Sequence, residues 1–344
     1  MKSKMLKQSK SPDQSRKRIF SGIQPSGRLH IGNYLGAIKN WIPLQNEYQC
    51  VWGIVDYHAI TVPYEPKELE ERVIDCAASY IAAGLDPQKS ILMLQSQVKE
   101  HTELAWILNT ITPIPWLERV PTFKDKAKQF TTSLNMGLLD YPALMTADII
   151  LYKADAVPVG EDQLPHLELT REIVRRFNNT FGQTFPEPKA ITSSGALIKG
   201  LDGNSKMGKS LENCIYLDET SEEIWKKLST AVTDPQRIRR NDPGNPEVCN
   251  IFSLHKLVST KEQINYVNNG CKTADIGCLD CKKILSNNIA AELAPIRENL
   301  IKLKNNRDYL KDVLNEGIRK SKEITAQTMS EVYDKIGTNY KFLK

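Results

Sequence analysis

The chain has 344 residues, of which 40% are hydrophobic and 25% are charged, and its formal net charge is +5. This length suits one large or two modest globular domains and is ample for burying a hydrophobic core. No stretch approaches eighteen consecutive apolar residues, which excludes a membrane-spanning helix.

The positive charge is concentrated at the N-terminus. Residues 1–18, MKSKMLKQSKSPDQSRKR, carry seven basic residues and one acidic residue, so residues 19–344 carry a net charge of about −1. This segment lacks the apolar run of a secretory signal, and we expect a basic disordered leader. The odd number of cysteines, seven, argues against a disulfide scaffold and favours a reducing, cytoplasmic location.

Strand and helix patterns alternate from Ile19 to about Ile191. The short apolar runs are typical of buried parallel strands and lie at Cys50–Val55, Ile91–Leu94 and Ala156–Val159. Between them, Pro66–Ala83 repeats apolar residues at helical spacing. This alternation predicts an α/β fold with a doubly wound, Rossmann-like parallel sheet, whose ligands bind at the C-terminal ends of the strands.

The second part of the chain has a different pattern. Strand signals stop near Ser221, and the segments that predict helices are Ser221–Ala231, Ile251–Leu257, Lys282–Lys304 and Asp308–Tyr333. We therefore predict an α/β domain over residues 19–212 and an all-helical domain over residues 213–344. The last helix is a candidate to pack back on the first domain.

A glycine-rich turn is the first candidate binding element. In Ser21–Gly36, SGIQPSGRLHIGNYLG, a turn at Pro25-Ser26-Gly27 separates a strand from an apolar helical rhythm that continues to about Trp41. A helix start offers free backbone N–H groups and the positive end of the helix dipole, which together bind phosphate. A turn without any ligand explains the spacing equally well, because neither common phosphate-loop pattern is present.

A second candidate element is Asp202–Ser210, DGNSKMGKS. Lys206 and Lys209 lie three residues apart among small residues. The segment is either a solvated surface loop or a loop that closes over a polyphosphate and neutralises its charge.

Taken together, HIGN at His30–Asn33 and KMGKS at Lys206–Ser210 resemble the two signatures of class I aminoacyl-tRNA synthetases. Further motifs are similar to those of the bacterial and organellar tryptophanyl-tRNA synthetases, namely GIQPSG at 22–27, IVDYHAIT at 54–61, YPALMTADIILY at 141–152 and VPVGEDQ at 157–163. The resemblance extends from about Ile19 to the C-terminal helices. It implies a HUP-type catalytic domain, a helical anticodon-binding domain, and an obligate homodimer without membrane association.

The resemblance also implies the reaction. These enzymes use ATP and Mg²⁺ to convert L-tryptophan to tryptophanyl-adenylate and pyrophosphate, and then transfer tryptophan to the 3′-terminal adenosine of tRNA(Trp). Positioning and charge neutralisation carry most of such a step, so no general base is expected.

The family's motifs assign an ATP site. His30 lies at the phosphates, and Lys206 and Lys209 stabilise the leaving pyrophosphate. Lys126 contributes to the triphosphate site, although it alternates with Lys124 and Lys128 and any of these could be a solvated charge. The remaining ATP-site residues are Gln24, Pro25, Ser26, Gly32, Asn33, Gly160, Glu161, Asp162, Ile198, Met207, Gly208 and Ser210. Gly208 replaces the family's serine, which implies weaker ATP binding or slower loop closure.

The tryptophan pocket is expected on a helix over Tyr141–Lys153. Tyr141, Met145 and Asp148 lie at i, i+4 and i+7 on one face of this helix. Asp148 is surrounded by apolar residues, where a carboxylate without a partner is costly. By resemblance, the indole N–H is that partner. The same resemblance adds Phe20, Gly22, His58, Val157, Val159 and Gln163 to the pocket.

Two features of the helical half remain open. Arg237, Arg239 and Arg240 form a basic cluster that either contacts tRNA or is merely solvated. The other feature is a C-x21-C-x6-C-x2-C pattern formed by Cys249, Cys271, Cys278 and Cys281. Four thiolates of this kind hold zinc or an iron–sulfur cluster, and some tryptophanyl enzymes carry a [4Fe–4S] cluster on a similar spacing. Four unligated thiols are the alternative.

Three rival functions are weighed against this assignment. A nucleotidyltransferase of the same superfamily would lack the long helical half and the YPALMTAD and GEDQ motifs. A tyrosyl-tRNA synthetase shares the fold, but GIQPSG and VPVGEDQ favour tryptophan. A non-catalytic paralogue tends to lose the signature residues, whereas His30, Lys206 and Lys209 are all present.

Overall fold

The structure is a computed structural model, and it describes residues 16–121, 123–124, 134–192, 198–203 and 207–343. Its described part contains a sheet of parallel strands in the order β3-β2-β1-β4-β5. The strands are β1 (Arg18–Ile23), β2 (Gln49–Ile54), β3 (Ser90–Leu94), β4 (Ala156–Val159) and β5 (Lys189–Thr192). This order and direction confirm the predicted doubly wound α/β fold.

Helices connect the strands and then form the C-terminal half. In the first half they are α1 (Ile31–Asn33), α2 (Lys39–Leu44), α3 (Asp56–Ala59), α4 (Pro66–Ala82), α5 (Glu100–Asn109), α6 (Ile114–Glu118), α7 (Met136–Ile150) and α8 (Leu164–Phe181). In the second half they are α9 (Ser221–Thr230), α10 (Asn250–Val258), α11 (Lys261–Lys272), α12 (Cys278–Lys304) and α13 (Arg307–Ile336). Among the described residues, none of these helices is long and apolar enough to cross a membrane.

Two hydrophobic cores lie on the two faces of the sheet. Successive residues of a strand point to opposite faces, and the buried residues of β1 follow this rule. Ile19 belongs to the core that contains α4 and α12, whereas Phe20 belongs to the core that contains α5, α7 and α8. On strand β2, Trp52 belongs to the same core as Ile19, and Val51 belongs to the same core as Phe20. Burial on both faces explains why these strands read as continuous apolar runs.

Strand β1 begins at Arg18, so this residue is not part of the leader predicted over residues 1–18. The Arg18 backbone N–H donates to Asp155 Oδ2 at 2.8 Å, and its guanidinium donates to the Tyr152 carbonyl at 2.6 Å. These bonds tie the residue to the start of β4. The leader's residues 1–15 lie outside the described residues.

Helix α13 packs closely against strand β3. A Cβ atom added at Gly317 would lie 1.7 Å from the carbonyl oxygen of Leu92, so the helix backbone comes into direct contact with the strand backbone. Buried residues with small side chains follow on the same helix at Ser321, Thr325 and Thr328. The C-terminal helix is therefore part of the packing around the sheet.

Candidate active site

A cavity of about 800 Å³ opens at the C-terminal ends of β1 and β4. These two strands are neighbours at the point where the strand order reverses, which is where α/β sheets bind ligands. The cavity is lined by residues from the end of β1, the glycine-rich turn, helix α7 and the segment after β4. Three regions that are distant in sequence, namely β1 with the turn that follows it, helix α7 and the segment after β4, therefore form one site.

The glycine-rich turn forms the first wall. His30 is buried and precedes α1, and its backbone N–H donates to the Asn33 side chain at 3.1 Å. A Cβ at Gly32 would lie 2.8 Å from His30 Nδ1 and 3.3 Å from Met207 Sδ, so only glycine lets both side chains pack over this turn. The predicted single helix widens into a π-helical turn at Tyr34–Ile38 before α2 begins. Turns of this type are frequent at functional sites.

The lysine loop touches the glycine-rich turn. Lys209 Nζ donates to the Gly27 carbonyl at 2.7 Å and to Ser26 Oγ at 3.4 Å. Burial lowers the pKa of Lys209 to about 8. Met207 donates its backbone N–H to the Ile198 carbonyl at 2.9 Å, which ties the loop to the cavity wall. The predicted Lys126, Lys206 and the Ser210 side chain lie outside the described residues.

Gly208 is not required by the backbone conformation. Its φ of −161° is extended, so serine would fit the same backbone. Its N–H donates to Asn213 Oδ1 at 2.9 Å. The expected effect of Gly208 on ATP binding therefore concerns the missing hydroxyl and loop entropy, not a clash.

The segment after β4 forms the second wall. A short 3-10 turn over Glu161–Gln163 follows Gly160, and a Cβ at Gly160 would lie 2.7 Å from Asp162 Oδ1. Gln163 Nε2 donates to Asp162 Oδ2 at 2.9 Å. The acidic side chains and the amide thus lie together at the cavity, where they can accept hydrogen bonds from hydroxyl groups.

Asp148 lies at the cavity and has three side-chain hydrogen-bond partners. It is 2% exposed, and its carboxylate lies 2.7 Å from His58 Nε2, 2.6 Å from His101 Nδ1 and 2.7 Å from Gln95 Nε2. Burial opposes ionisation of Asp148, but the hydrogen bonds from His101 and His58 outweigh burial and lower its pKa to about 2. The carboxylate is therefore ionised at neutral pH.

Two of these three partners, His101 and Gln95, are not indicated by the sequence. The resemblance implies that the indole N–H is the partner of a buried Asp148, whereas the protein itself supplies donors from His58, His101 and Gln95. Gln95 directly follows the C-terminal end of β3, and this position could have marked it as a site residue. His101 carried no such signal, because a histidine within a helix pattern is more often an ordinary core residue.

Most predicted site residues line the cavity. From the tryptophan set these are Phe20, Gly22, His58, Tyr141, Met145, Asp148, Val157, Val159 and Gln163. From the ATP set they are Gln24, His30, Gly32, Asn33, Gly160, Glu161, Asp162, Ile198 and Met207. Pro25, Ser26, Gly208 and Lys209 are not among the described lining residues. Helix α7 starts at Met136, earlier than predicted, because the Asn135 side chain caps it by accepting from the Leu138 N–H at 3.0 Å.

The arginine cluster in the helical half is mostly structural. Arg237 is 9% exposed and donates to the carbonyls of Arg240 at 2.9 Å and Ile276 at 2.8 Å. Arg240 donates to the carbonyls of Ala274 and Asp275. Arg239 and Arg240 are both exposed. Two of the three guanidinium groups therefore bind the protein's own backbone.

Among the described residues, the cysteine quartet is not arranged as a metal site. All four thiols are free, and Cys281 Sγ lies 3.4 Å from His255 Nε2. In the described part of the chain, no group of three or more His, Cys, Asp or Glu side chains is placed to hold a metal ion. The expectation of zinc or an iron–sulfur cluster is therefore unsupported, and no step is derived from one.

Comparisons with known proteins agree with this geometry. The family model for class I tRNA synthetases (W and Y) matches residues 12–294. The tryptophan–tRNA ligase of Deinococcus radiodurans is 50% identical, with 93% of this chain and 98% of the relative covered. The tryptophan–tRNA ligase of Thermotoga maritima is 45% identical over 92% of this chain and 97% of the relative.

A solved structure has the same fold. The tryptophanyl-tRNA synthetase of Campylobacter jejuni, complexed with ADP and tryptophan, superposes with a TM-score of 0.81. It is 37% identical, and the match covers 93% of this chain and 99% of that one. The matching family and these relatives show that the chain belongs to the class I tRNA synthetases, in the tryptophan and tyrosine branch.

Proposed function

We propose that this chain is a tryptophan–tRNA ligase. It activates L-tryptophan with ATP to tryptophanyl-adenylate and pyrophosphate, and then transfers tryptophan to the 3′-terminal adenosine of tRNA(Trp). The observation that carries the proposal is a single cavity whose lining includes both the His30 turn and the Asp148 helix face. The near relatives named as tryptophan–tRNA ligases support the same choice over tyrosine.

The two substrates occupy different parts of the cavity. ATP lies along the turn from Gln24 to Asn33 and along Gly160–Asp162, with Mg²⁺ bound to its phosphates. The indole lies against Met145 and donates its N–H to Asp148. The tryptophan carboxylate then meets the α-phosphate near β1, which contributes Phe20 and Gly22 to the amino-acid side. No protein group needs to remove a proton, because positioning and charge neutralisation carry the step.

Charging of tRNA(Trp) tests the complete reaction. With ATP, Mg²⁺ and labelled tryptophan, we expect label to accumulate on tRNA(Trp) and not on tRNA(Tyr). Of the arginine cluster we propose only Arg239 as a tRNA contact, since Arg237 and Arg240 donate to backbone carbonyls. Labelling of neither tRNA, despite formation of adenylate, would limit the function to activation.

Lys209 is expected to give the reaction a basic limb in its pH profile. Its pKa of about 8 means that the ammonium is charged below this pH and neutral above it. We therefore expect kcat/KM for ATP, which reports the free enzyme, to fall as the pH rises through about 8. Lys209→Arg keeps its charge throughout this range and should move the fall to higher pH. Lys256→Arg, at an exposed site, is the control. If wild type, Lys209→Arg and Lys256→Arg all lose kcat/KM at the same pH, Lys209 is not the group that titrates.

We also propose that the chain forms a homodimer through the surface of α5, α6 and the start of α7. This surface exposes four large apolar side chains: Trp106 (71%), Ile114 (60%), Leu134 (51%) and Met136 (72%). Large apolar side chains exposed on elements that pack against one another are compatible with a protein interface. A second copy is the occupant that fits the family resemblance.

Sedimentation velocity tests this surface. Wild type should sediment as a dimer at micromolar concentration, and Trp106→Lys should shift the equilibrium towards monomer, because it places a charge in an apolar contact. Phe342→Lys removes an aromatic side chain near the C-terminus that is even more exposed, at 83%, and should leave the dimer intact. If Trp106→Lys sediments like wild type, the dimer does not use this surface.

The remaining assignments follow from the same function. We propose a cytoplasmic location, which the free cysteines and the bacterial relatives support. The limits of the catalytic and helical domains, residues 19–212 and 213–344, also remain a proposal.

A further inference from the structure

A buried chain of hydrogen bonds extends from Asp148 away from the cavity. His101 Nδ1 lies 2.6 Å from Asp148 Oδ1, and His101 Nε2 lies 3.1 Å from the Tyr152 hydroxyl. His101 and Tyr152 are both 0% exposed, and neither is among the described residues that line the cavity. They can influence a substrate only through Asp148 or through packing.

The donors around Asp148 leave one acceptor position for a substrate. A carboxylate offers about four lone-pair positions on its two oxygens. Oδ1 receives hydrogen bonds from Gln95 and His101, and Oδ2 receives one from His58. The remaining position is on Oδ2, and Asp148 lines the cavity. The carboxylate is thus oriented to accept one further donor.

The partners also determine the tautomer of His101. Ionised Asp148 can only accept, so Nδ1 must carry a proton. Burial raises the pKa of Tyr152 far above its usual range, so its hydroxyl keeps its proton and can donate to Nε2 whenever that nitrogen is unprotonated. This outer hydrogen bond holds the imidazole with its Nδ1–H directed at Asp148, as outer partners do for functional histidines.

Packing holds Tyr152 in place. Its ring stacks on Phe20 with centroids 5.5 Å apart and an angle of 14°, and Phe20 lines the cavity. The Tyr152 ring also lies 5.6 Å from the His101 ring. The chain of hydrogen bonds is therefore fixed from strand β1 as well as from helix α5.

We propose that His101, held by Tyr152, is a positioning residue that orients Asp148 as a single hydrogen-bond acceptor and thereby sets selectivity for a substrate side chain with an N–H donor. The proposal rests on the proposed function, because it assumes that the indole N–H meets Asp148. A site built to accept a hydrogen bond rejects an analogue that lacks the donor. If the Asp148 carboxylate is held less firmly, the site should discriminate less strongly against an analogue that lacks the N–H donor.

The test compares tryptophan with its benzothienyl analogue, in which sulfur replaces the indole N–H. The quantity measured is the competitive Ki of the analogue divided by the KM of tryptophan in ATP–pyrophosphate exchange. His101→Leu removes the donor, and we expect this ratio to fall about tenfold, the effect of one lost hydrogen bond to a charged group. The KM for ATP should stay unchanged. His101→Asn places an amide donor near the Nδ1 position and should restore most of the ratio.

Two tyrosine variants separate positioning from stability. Tyr152→Phe keeps the ring but removes the hydroxyl, and we expect the ratio to fall by a smaller factor, about threefold. Tyr80→Phe is the matched control, because the Tyr80 hydroxyl is equally buried but donates to the Gly53 carbonyl at 2.9 Å. Its ratio should equal that of wild type.

The outcomes are distinguishable. An unchanged ratio in His101→Leu, with both ligands weakened equally, would overturn the positioning role. Should that variant not fold, an unchanged ratio in Tyr152→Phe would do the same. Absence of tryptophan-dependent exchange in wild type would instead overturn the proposed function.

Discussion

Replacing Asp148 with Asn is expected to lower kcat/KM for tryptophan by a factor of about 10² to 10³. The amide has no charge, and its NH₂ group replaces one carboxylate oxygen, so it faces either His101 and Gln95 or His58, all of which are donors. The indole loses its acceptor at the same time. Breaking a buried ionic network of this kind also costs stability, on the order of 3 kcal/mol. ATP–pyrophosphate exchange and urea unfolding measure the two effects.

Asp140→Asn is the matched control for this variant. Asp140 lies on the same helix, α7, but accepts from Asn109 Nδ2 at 2.8 Å and does not line the cavity. We expect its exchange activity to stay within about twofold of wild type, because the new amide oxygen can still accept from Asn109 and the bond lies away from the substrate. Equal activity losses in the two variants would mean that Asp148 acts only through the stability of α7.

Gly317→Ala is expected to reduce the free energy of unfolding by about 3 kcal/mol. In an isolated helix, alanine is favoured over glycine by about 1 kcal/mol. Here the added Cβ would lie 1.7 Å from the backbone oxygen of Leu92, which cannot rotate away as a side chain could. Overpacking against the sheet should therefore outweigh helix propensity, and α13 must shift away from β3. Urea or thermal unfolding measures the change.

Asn315→Ala serves as the control on the same helix. This residue is exposed, so the substitution adds helix propensity without a new contact. We expect it to be neutral or slightly stabilising, by less than about 1 kcal/mol. A stabilised Gly317→Ala protein would show that α13 does not pack against β3 as described.

The sequence predicted the strands that are buried on both faces and the helices whose apolar residues recur with a strong period. Strand β4 coincides with the predicted Ala156–Val159, and β2 and β3 each begin one residue before the predicted start. Helix α13 extends the predicted Asp308–Tyr333 by only a few residues at its C-terminal end. In each case the local pattern reflects burial against the sheet or the neighbouring helices.

Elements that depend on distant partners were harder to predict. Strand β5 and helix α5 were missed, although both are part of the fold. Arg18 joins β1 because of Asp155, which is 137 residues away in the sequence. The π-helical turn at Tyr34–Ile38 leaves no trace in an apolar rhythm that reads as an ordinary helix. Tertiary contacts, and not local propensity, decide these features.

The site likewise contains residues that the sequence indicates and residues that it does not. Motif resemblance indicated many of the residues that line the cavity, because the motifs lie at strand ends and on one face of α7. It could not reveal the chain from Asp148 to His101 and Tyr152, because no motif links these residues and only the fold brings them together. The sequence leaves Arg237 as either a tRNA contact or a solvated charge, whereas the folded chain buries this side chain and bonds its guanidinium to backbone carbonyls.

ATP–pyrophosphate exchange tests most directly whether this cavity joins ATP to tryptophan. The purified chain, with Mg²⁺ and labelled pyrophosphate, should exchange label into ATP when tryptophan is added and not when tyrosine is added. Asp148→Asn should abolish most of this exchange. Exchange that depends on tyrosine would contradict the assigned substrate, and exchange with neither amino acid would contradict the proposal that the chain is a catalyst.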